Sequence, residues 1–179
     1  QPRMTPLTLS DGHVVLRTPE ERDAPAVTAC VRESLDSLSR WLTWASADYD
    51  EAAALRWIRR QRDPTEVAFL IEENGTIAGS CGLNRVDRAN QNANLGYWLR
   101  PDHTGRGLAT RAARLVARHG LTTLGLHRIE IVMAVDNDAS RRVAERLGAV
   151  HEGTLRGRLW LHGRFHDMHM YSLLASDLA

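Results

Sequence analysis

The sequence predicts a mixed α/β fold in one domain spanning residues 1–179, and three observations carry that prediction. Apolar residues recur at helical spacing in the first third of the chain. The period then shortens to two from about residue 66, around an Asn-Gly pair that marks a hairpin. In the second half, two strand-to-helix junctions follow one another, which is how a parallel pair of strands is built.

Each element has a local reason. VVLRT at 14–18 alternates and reads as a first strand. Asp23 precedes APAVTACVRES, where Pro25 suits a first helical turn and Asp23 is a candidate N-cap. Leu38, Trp41, Leu42 and Ala45 share one face of a second short helix. Asp50 opens DEAAALRWIRRQR, which Asp63-Pro64 ends. EVAFLIEE and TIAGSCGLN form strands on either side of Asn74-Gly75. DRANQNAN reads as a polar loop, and LGYWLRP as a strand ending at Pro101. Leu108, Ala109, Ala112, Leu115 and Val116 keep helical spacing. HRIEIVMAV puts Ile129, Ile131, Met133 and Val135 on one strand face. DASRRVAERLG is a helix with Ala139, Val143 and Leu147 as its apolar stripe and Gly148 as its stop. Two further strands are expected near 150–158 and 164–174.

Composition narrows the function classes. The 179 residues carry a formal charge of +1, which argues against a nucleic-acid binder that relies on phosphate neutralisation. No apolar run of about 18 residues occurs, so no membrane-spanning helix is expected, and QPRMTPLTLS lacks the layout of a signal peptide. Cys30 and Cys81 are too few for a disulfide framework, which points to a reducing cytoplasm. All 23 Lys-or-Arg residues are arginine, so a P-loop lysine and a Schiff-base lysine are excluded. Exposed strand edges permit a homodimer.

Four sets of residues could carry chemistry. PDHTGRGLAT at 101–110 places two glycines before a helix, where backbone N–H groups and the helix dipole can receive an anion such as a pyrophosphate. A plain glycine entry into a helix explains the same letters. A Rossmann fingerprint fits poorly, because Thr110 stands at the third glycine position and the segment lies mid-chain. In DNDASRRVAERLG, Asn137 or Asp138 can cap a helix with Ser140 in its first turn. If the two preceding strands are parallel, both helix N-termini open at the same sheet edge. His162, His166 and His169 with Asp167 have the look of a metal cluster, but 166 and 169 fall on opposite faces of a strand, so no metal is assigned. Trp41 and Trp44 in RWLTWA could wall a pocket.

The glycine loop together with the asparagine–serine segment resembles the GNAT superfamily of acyl-CoA-dependent N-acyltransferases. That family's pyrophosphate loop, Gln or Arg followed by two residues, Gly, one residue and Gly or Ala, falls on Thr104, Gly105, Arg106, Gly107, Leu108 and Ala109, with Thr104 replacing the leading Gln or Arg. VVLRT, RWLTWA, LGYWLRP, NDASRRVAERLG, HEGTLRG and GRFHDMHMYSLL, in that order, resemble the Rim-type branch of ribosomal-protein N-terminal acetyltransferases (RimJ/RimL-like).

The resemblance implies a twisted, mostly antiparallel sheet that splays between parallel strands four and five, with an acyl-CoA, most simply acetyl-CoA, in the opening. Its thioester would pair with backbone near Leu99 and its pyrophosphate would sit on residues 104–110, including Thr110. Asn137 would hold the pantetheine arm and Ser140 would lie by the sulfur. Ser140 is the candidate acid for the departing thiolate, with Tyr97 a second candidate. Trp41, Trp44, Asn84 and Tyr97 are candidates for the acceptor pocket. The acceptor would be a peptide α-amino group or a small amine. Leu159, before Trp160, occupies the place where some Rim-type members carry a glutamate; Glu152 and His162 are near in sequence, and the role of base is assigned to neither. A CoA-binding sensor with the same fold is the alternative that these departures leave open.

Overall fold

The computed structural model describes residues 5–178; residues 1–4 of the N-terminal stretch read above, and residue 179, lie outside the described residues. Eight strands form one sheet in the order β1-β2-β3-β4-β5-β6-β8-β7. They are β1 (Thr8–Ser10), β2 (Val15–Arg17), β3 (Val67–Glu73), β4 (Thr76–Asp87), β5 (Asn92–Leu99), β6 (Arg128–Ala134), β7 (Val150–Leu161) and β8 (Arg164–Leu173). Every neighbouring pair is antiparallel except β5 and β6.

Five α-helices flank the sheet: α1 (Ala24–Glu33), α2 (Leu35–Leu38), α3 (Glu51–Arg60), α4 (Leu108–Arg118) and α5 (Asp138–Arg146). The alternation of β3 shows how the two faces are divided. Phe69 and Ile71 join a core with Leu108, Val116 and Leu147 under α4 and α5. Leu70, between them, joins Val27, Val31 and Ile58 under α1 and α3.

The parallel pairing is short. β5 meets β6 only at Asn92–Arg128, Ala93–Ile129 and Asn94–Glu130. Beyond it, β5 stays with β4 up to Leu99–Gly79, while β6 stays with β8 up to Ala134–Met168. Having no common partner, the two strands diverge, and the sheet opens into a V between Leu95–Leu99 and Ile131–Ala134.

Several local expectations hold for the reasons given. Asp50 accepts from Ala53 N at 2.8 Å as the N-cap of α3. Asn74 (φ 52°) and Gly75 (φ 77°) make the hairpin turn with both residues left-handed. Gly148 ends α5 at φ 84°.

Others are corrected. Asp23 does not cap α1; its carboxylate takes two 2.8 Å bonds from Arg17 and one from Glu20 N, and ion pairing wins over capping. The second helix stops at Leu38, and the spacing of Trp41, Leu42 and Ala45 is realised by successive turns, with Leu42 N on Leu38 O at 2.9 Å and Ala45 N on Leu42 O at 3.3 Å. DRANQNAN is half strand: β4 runs to Asp87, which binds Asn90 through both its carboxylate oxygens, residues 88–91 make the turn, and β5 starts at Asn92. Asparagine is tolerated there because Asn94 Nδ2 donates across the strands to Asn84 Oδ1 at 3.2 Å. Val135 lies past the end of β6, where its N–H donates to Asp167 O, and Ala139 is exposed while Ala144 takes its place in the stripe of α5. β1 carries no signal in the sequence, because three residues are too few to show alternation.

Candidate active site

Two junctions border the V. The first enters α4. Gly105 and Gly107 hold φ 81° and 77°, a region that costs other residues about 1–2 kcal/mol. A Cβ on either would meet no protein atom within 4 Å, so the outer side of the loop is open. The first backbone bond of the helix is Arg111 N to Gly107 O at 3.0 Å. Ahead of it, the N–H groups of Gly105, Arg106, Gly107, Leu108, Ala109 and Thr110 donate to no acceptor among the described residues. Six adjacent free donors at the positive end of a helix dipole form an anion nest. Thr110 Oγ1 is buried beneath it without a partner.

The side chains of this loop face elsewhere. Thr104 Oγ1 donates to Pro101 O at 2.7 Å, closing its own turn. Arg106 Nη2 donates to Glu73 Oε1 at 2.7 Å, and His103 Nδ1 meets the same oxygen at 2.9 Å. Burial works against the Glu73 carboxylate, but Arg106 and His103 outweigh it and hold its pKa below the usual value.

The second junction enters α5. Asn137 caps it, accepting from Ser140 N at 3.2 Å through Oδ1. Ser140 in the first turn meets Tyr97 of β5: the phenol donates to Ser140 O at 2.9 Å and lies 3.0 Å from Ser140 Oγ. Burial pushes the Tyr97 phenol well above its ordinary pKa, against the opposing hydrogen bond of Ser140, so it remains a protonated donor.

A cleft of about 740 Å³ runs from this junction to the α1–α3 face. It brings together Ser140, Asn137, Tyr97, Asn84, Trp41 and Trp44. Trp44 packs edge-on to Trp98 at 6.0 Å and against Tyr49 at 5.7 Å, so these three rings form a wall, and Trp41 lines the cleft beneath the Arg40 guanidinium. Leu99 and residues 104–110 are not part of this lining. Leu99 pairs with Gly79 on one side and has no strand partner on the β6 side.

The nearby acids and histidines are placed too. Leu159 lines the cleft, so an apolar side chain stands where the resemblance would put a glutamate. Glu152 is held by Arg128 at 2.7 Å and Ser172 at 2.9 Å, which lowers its pKa to about 2 and leaves it an ionised, occupied carboxylate. His162 Nε2 is 2.8 Å from Ser39 O and His166 Nε2 is 2.9 Å from Leu161 O. No group of three or more His, Cys, Asp or Glu able to hold a metal is found among the described residues.

Sequence reasoning missed part of the cleft. On its floor, Ala68, Gly82 and Gly96 lie side by side across β3, β4 and β5. A Cβ on Gly96 would meet only Asn84 Nδ2, at 3.7 Å. Strand registers, which single segments do not reveal, were the only signal. Also missed were Ala53, Arg56, Trp57 and Arg60, which turn one face of α3 to the cleft at i, i+3, i+4 and i+7 spacing.

A sheet splayed open at its one parallel pair, with an anion nest at one helix entry and a hydroxyl pair at the next, is the architecture of a CoA-dependent acyltransferase. The chain belongs to the GNAT acetyltransferase family: the family described as "Acetyltransferase (GNAT) domain" matches residues 13–150. YdaF of Bacillus subtilis, provisionally named a ribosomal N-acetyltransferase, is 33% identical over 170 residues, which are 92% of this chain and 93% of that protein. The structure of Mycobacterium smegmatis RimJ with a CoA-disulfide superposes with a TM-score of 0.86 at 28% identity, covering 97% of this chain and 88% of that one. RimL, a ribosomal L7/L12 α-N-protein acetyltransferase solved with CoA, superposes with a TM-score of 0.90 at 24% identity, over 97% and 100% of the two chains, and at that identity it supports the fold.

Proposed function

We propose that this protein transfers the acetyl group of acetyl-CoA to a primary amine, most simply the α-amino group at a peptide N-terminus, by direct transfer with both substrates held in the V. The chemistry of the class is acyl transfer to nitrogen. The relative named for ribosomal N-acetylation, and the RimJ structure with its CoA-disulfide, support the choice of donor and of acceptor class.

The donor set fits CoA. Six free N–H groups of residues 105–110 would receive its pyrophosphate, and the backbone of Leu95–Leu99, unpaired toward β6, would run beside the pantetheine arm. Asn137 would bind the arm through Nδ2, since Oδ1 already caps α5. Bound there, CoA supplies an activated thioester. Because Arg106 is tied to Glu73 and Thr104 to Pro101, backbone rather than side chains carries the binding.

On this reading Ser140 donates its hydroxyl proton to the departing thiolate sulfur and regains one from water, while the Tyr97 phenol oxygen, 3.0 Å away, orients that hydroxyl. No base of high pKa is needed. An α-amino group with a pKa of about 7.7–8.0 loses roughly 1 kcal/mol in reaching its neutral form at pH 7, against about 4.6 for a lysine amine. With Leu159 apolar and Glu152 occupied, the proton leaves the attacking nitrogen to water. A cytoplasmic location agrees with two buried, unpaired cysteines.

The Ser140–Tyr97 contact at the mouth of the V is the observation that carries this assignment. Ser140→Ala should lower kcat by about 100-fold while acetyl-CoA affinity changes less than threefold. Steady-state kinetics with a panel of N-terminal peptides, combined with calorimetry of CoA binding, reads both quantities. An unchanged kcat would remove Ser140 from the proton path.

A further inference from the structure

The acceptor end of the cleft is positively charged. Its lining includes Arg56, Arg60 and Arg85 and a single carboxylate, Glu66, and among the described residues none of these four side chains makes an ion pair or a hydrogen bond. The contrast within α3 is informative. Arg59, turned off the cleft face, is bound to Glu21 at 3.0 Å, and Arg62 just beyond it shares that partner. Arg56 and Arg60, one turn apart on the cleft face, have no acid partner among the described residues.

The sheet beneath explains where a ligand would lie. Glu66 precedes β3 on the face of Ala68 and Leu70, next to Asn84 and Asn94 of the neighbouring strands. Ala68 and the open position Gly96, with Gly82 packed against the β3 backbone between them, floor a groove from that polar end toward Tyr97 and Ser140. Burial raises the Glu66 carboxyl above its ordinary pKa, against the pull of Arg60, so the one opposing charge is weakly held.

We propose that the acceptor is an amine carrying a carboxylate, which Arg56 and Arg60 receive at the far end of the groove while the amine reaches the Ser140–Tyr97 end. A guanidinium fork matches a carboxylate with two parallel hydrogen bonds, and two forks on one helix face select for it. A polyamine would meet three like charges there. The carboxylate can belong to an acidic side chain near a peptide N-terminus or to a small dicarboxylic amine. This inference deepens the transferase reading and rests on it.

The test compares kcat/KM, with saturating acetyl-CoA, for peptides of one N-terminal residue followed by Asp-Glu, Asn-Gln or Lys-Arg, and for glutamate and spermidine. Binding of the same acceptors to the CoA-loaded protein is measured alongside. The Asp-Glu peptide or glutamate should exceed the Asn-Gln peptide by roughly tenfold or more, and which of the two leads identifies the source of the carboxylate. The double substitution Arg56→Glu with Arg60→Glu lies on the exposed surface and should abolish or reverse that preference, with CoA affinity kept. Equal kcat/KM for acidic and neutral peptides, a preference for spermidine, or an acidic preference that survives the double substitution would overturn the inference. Failure of the transferase reading looks different: no acceptor is acetylated although CoA binds, and acceptor binding alone then decides the charge preference.

Discussion

The two walls of the V are built from different materials. The wall at α4 is backbone: six unpaired N–H groups held in place by Gly105 and Gly107, with Thr104 and Arg106 turned aside onto Pro101 and Glu73. The wall at α1–α3 is side chain, a tryptophan surface beside two arginines without a partner among the described residues, over a floor of small residues. Backbone is common to every sequence that can adopt the turn, so it suits a constant ligand such as CoA. Side chains differ freely, and they suit the choice of acceptor.

That division can be broken at either wall. The largest effect is expected at the backbone wall. Gly107→Val adds strain of about 1–2 kcal/mol at φ 77° and places a branched side chain over the donors. It should weaken CoA by about 100-fold or more in a calorimetric titration. Retention of tight binding would refute the nest.

On the α1–α3 wall, Gly96→Val should fill the groove, because Gly96 lines the cleft and a Cβ there meets only Asn84 Nδ2 at 3.7 Å. Acceptor kcat/KM should fall by about tenfold with CoA affinity unchanged. An equal loss of CoA binding would show that the walls are not separable.

Between the walls, Tyr97→Phe removes the hydrogen bond to Ser140 worth about 1 kcal/mol, so kcat should fall roughly fivefold to tenfold. A kcat unchanged from wild type would leave Ser140 oriented without the phenol. Thr104→Ala should do least. Its hydroxyl serves only the local turn, and CoA affinity should stay within about twofold. A larger loss would mean that Thr104 turns outward to meet the ligand.

Legibility in the sequence followed the same line. The α4 wall was readable because its determinants are contiguous: two glycines, a helical repeat, and a strand ending at Pro101. The Asn137 cap and Ser140 were readable for the same reason. The α1–α3 wall was only half readable. Trp41 and Trp44 stand out by type, but the groove of Ala68, Gly82 and Gly96 exists only through the registers that align β3, β4 and β5. Arg56 and Arg60 read as ordinary surface charge until the face of α3 is known. Asp23 misled because an aspartate before a helix is the usual cap signal, and nothing local told of Arg17. Residues 38–45 misled because consecutive turns reproduce helical spacing without a continuous helix.

The backbone nest is best tested at the atoms said to form it. Amide spectra of the protein recorded with increasing CoA should show the N–H resonances of Gly105, Arg106, Gly107, Leu108, Ala109 and Thr110 moving downfield together, while the amides of α3 stay in place. Shifts confined to α3, with those six amides unmoved, would contradict the assignment of the donor to the α4 wall.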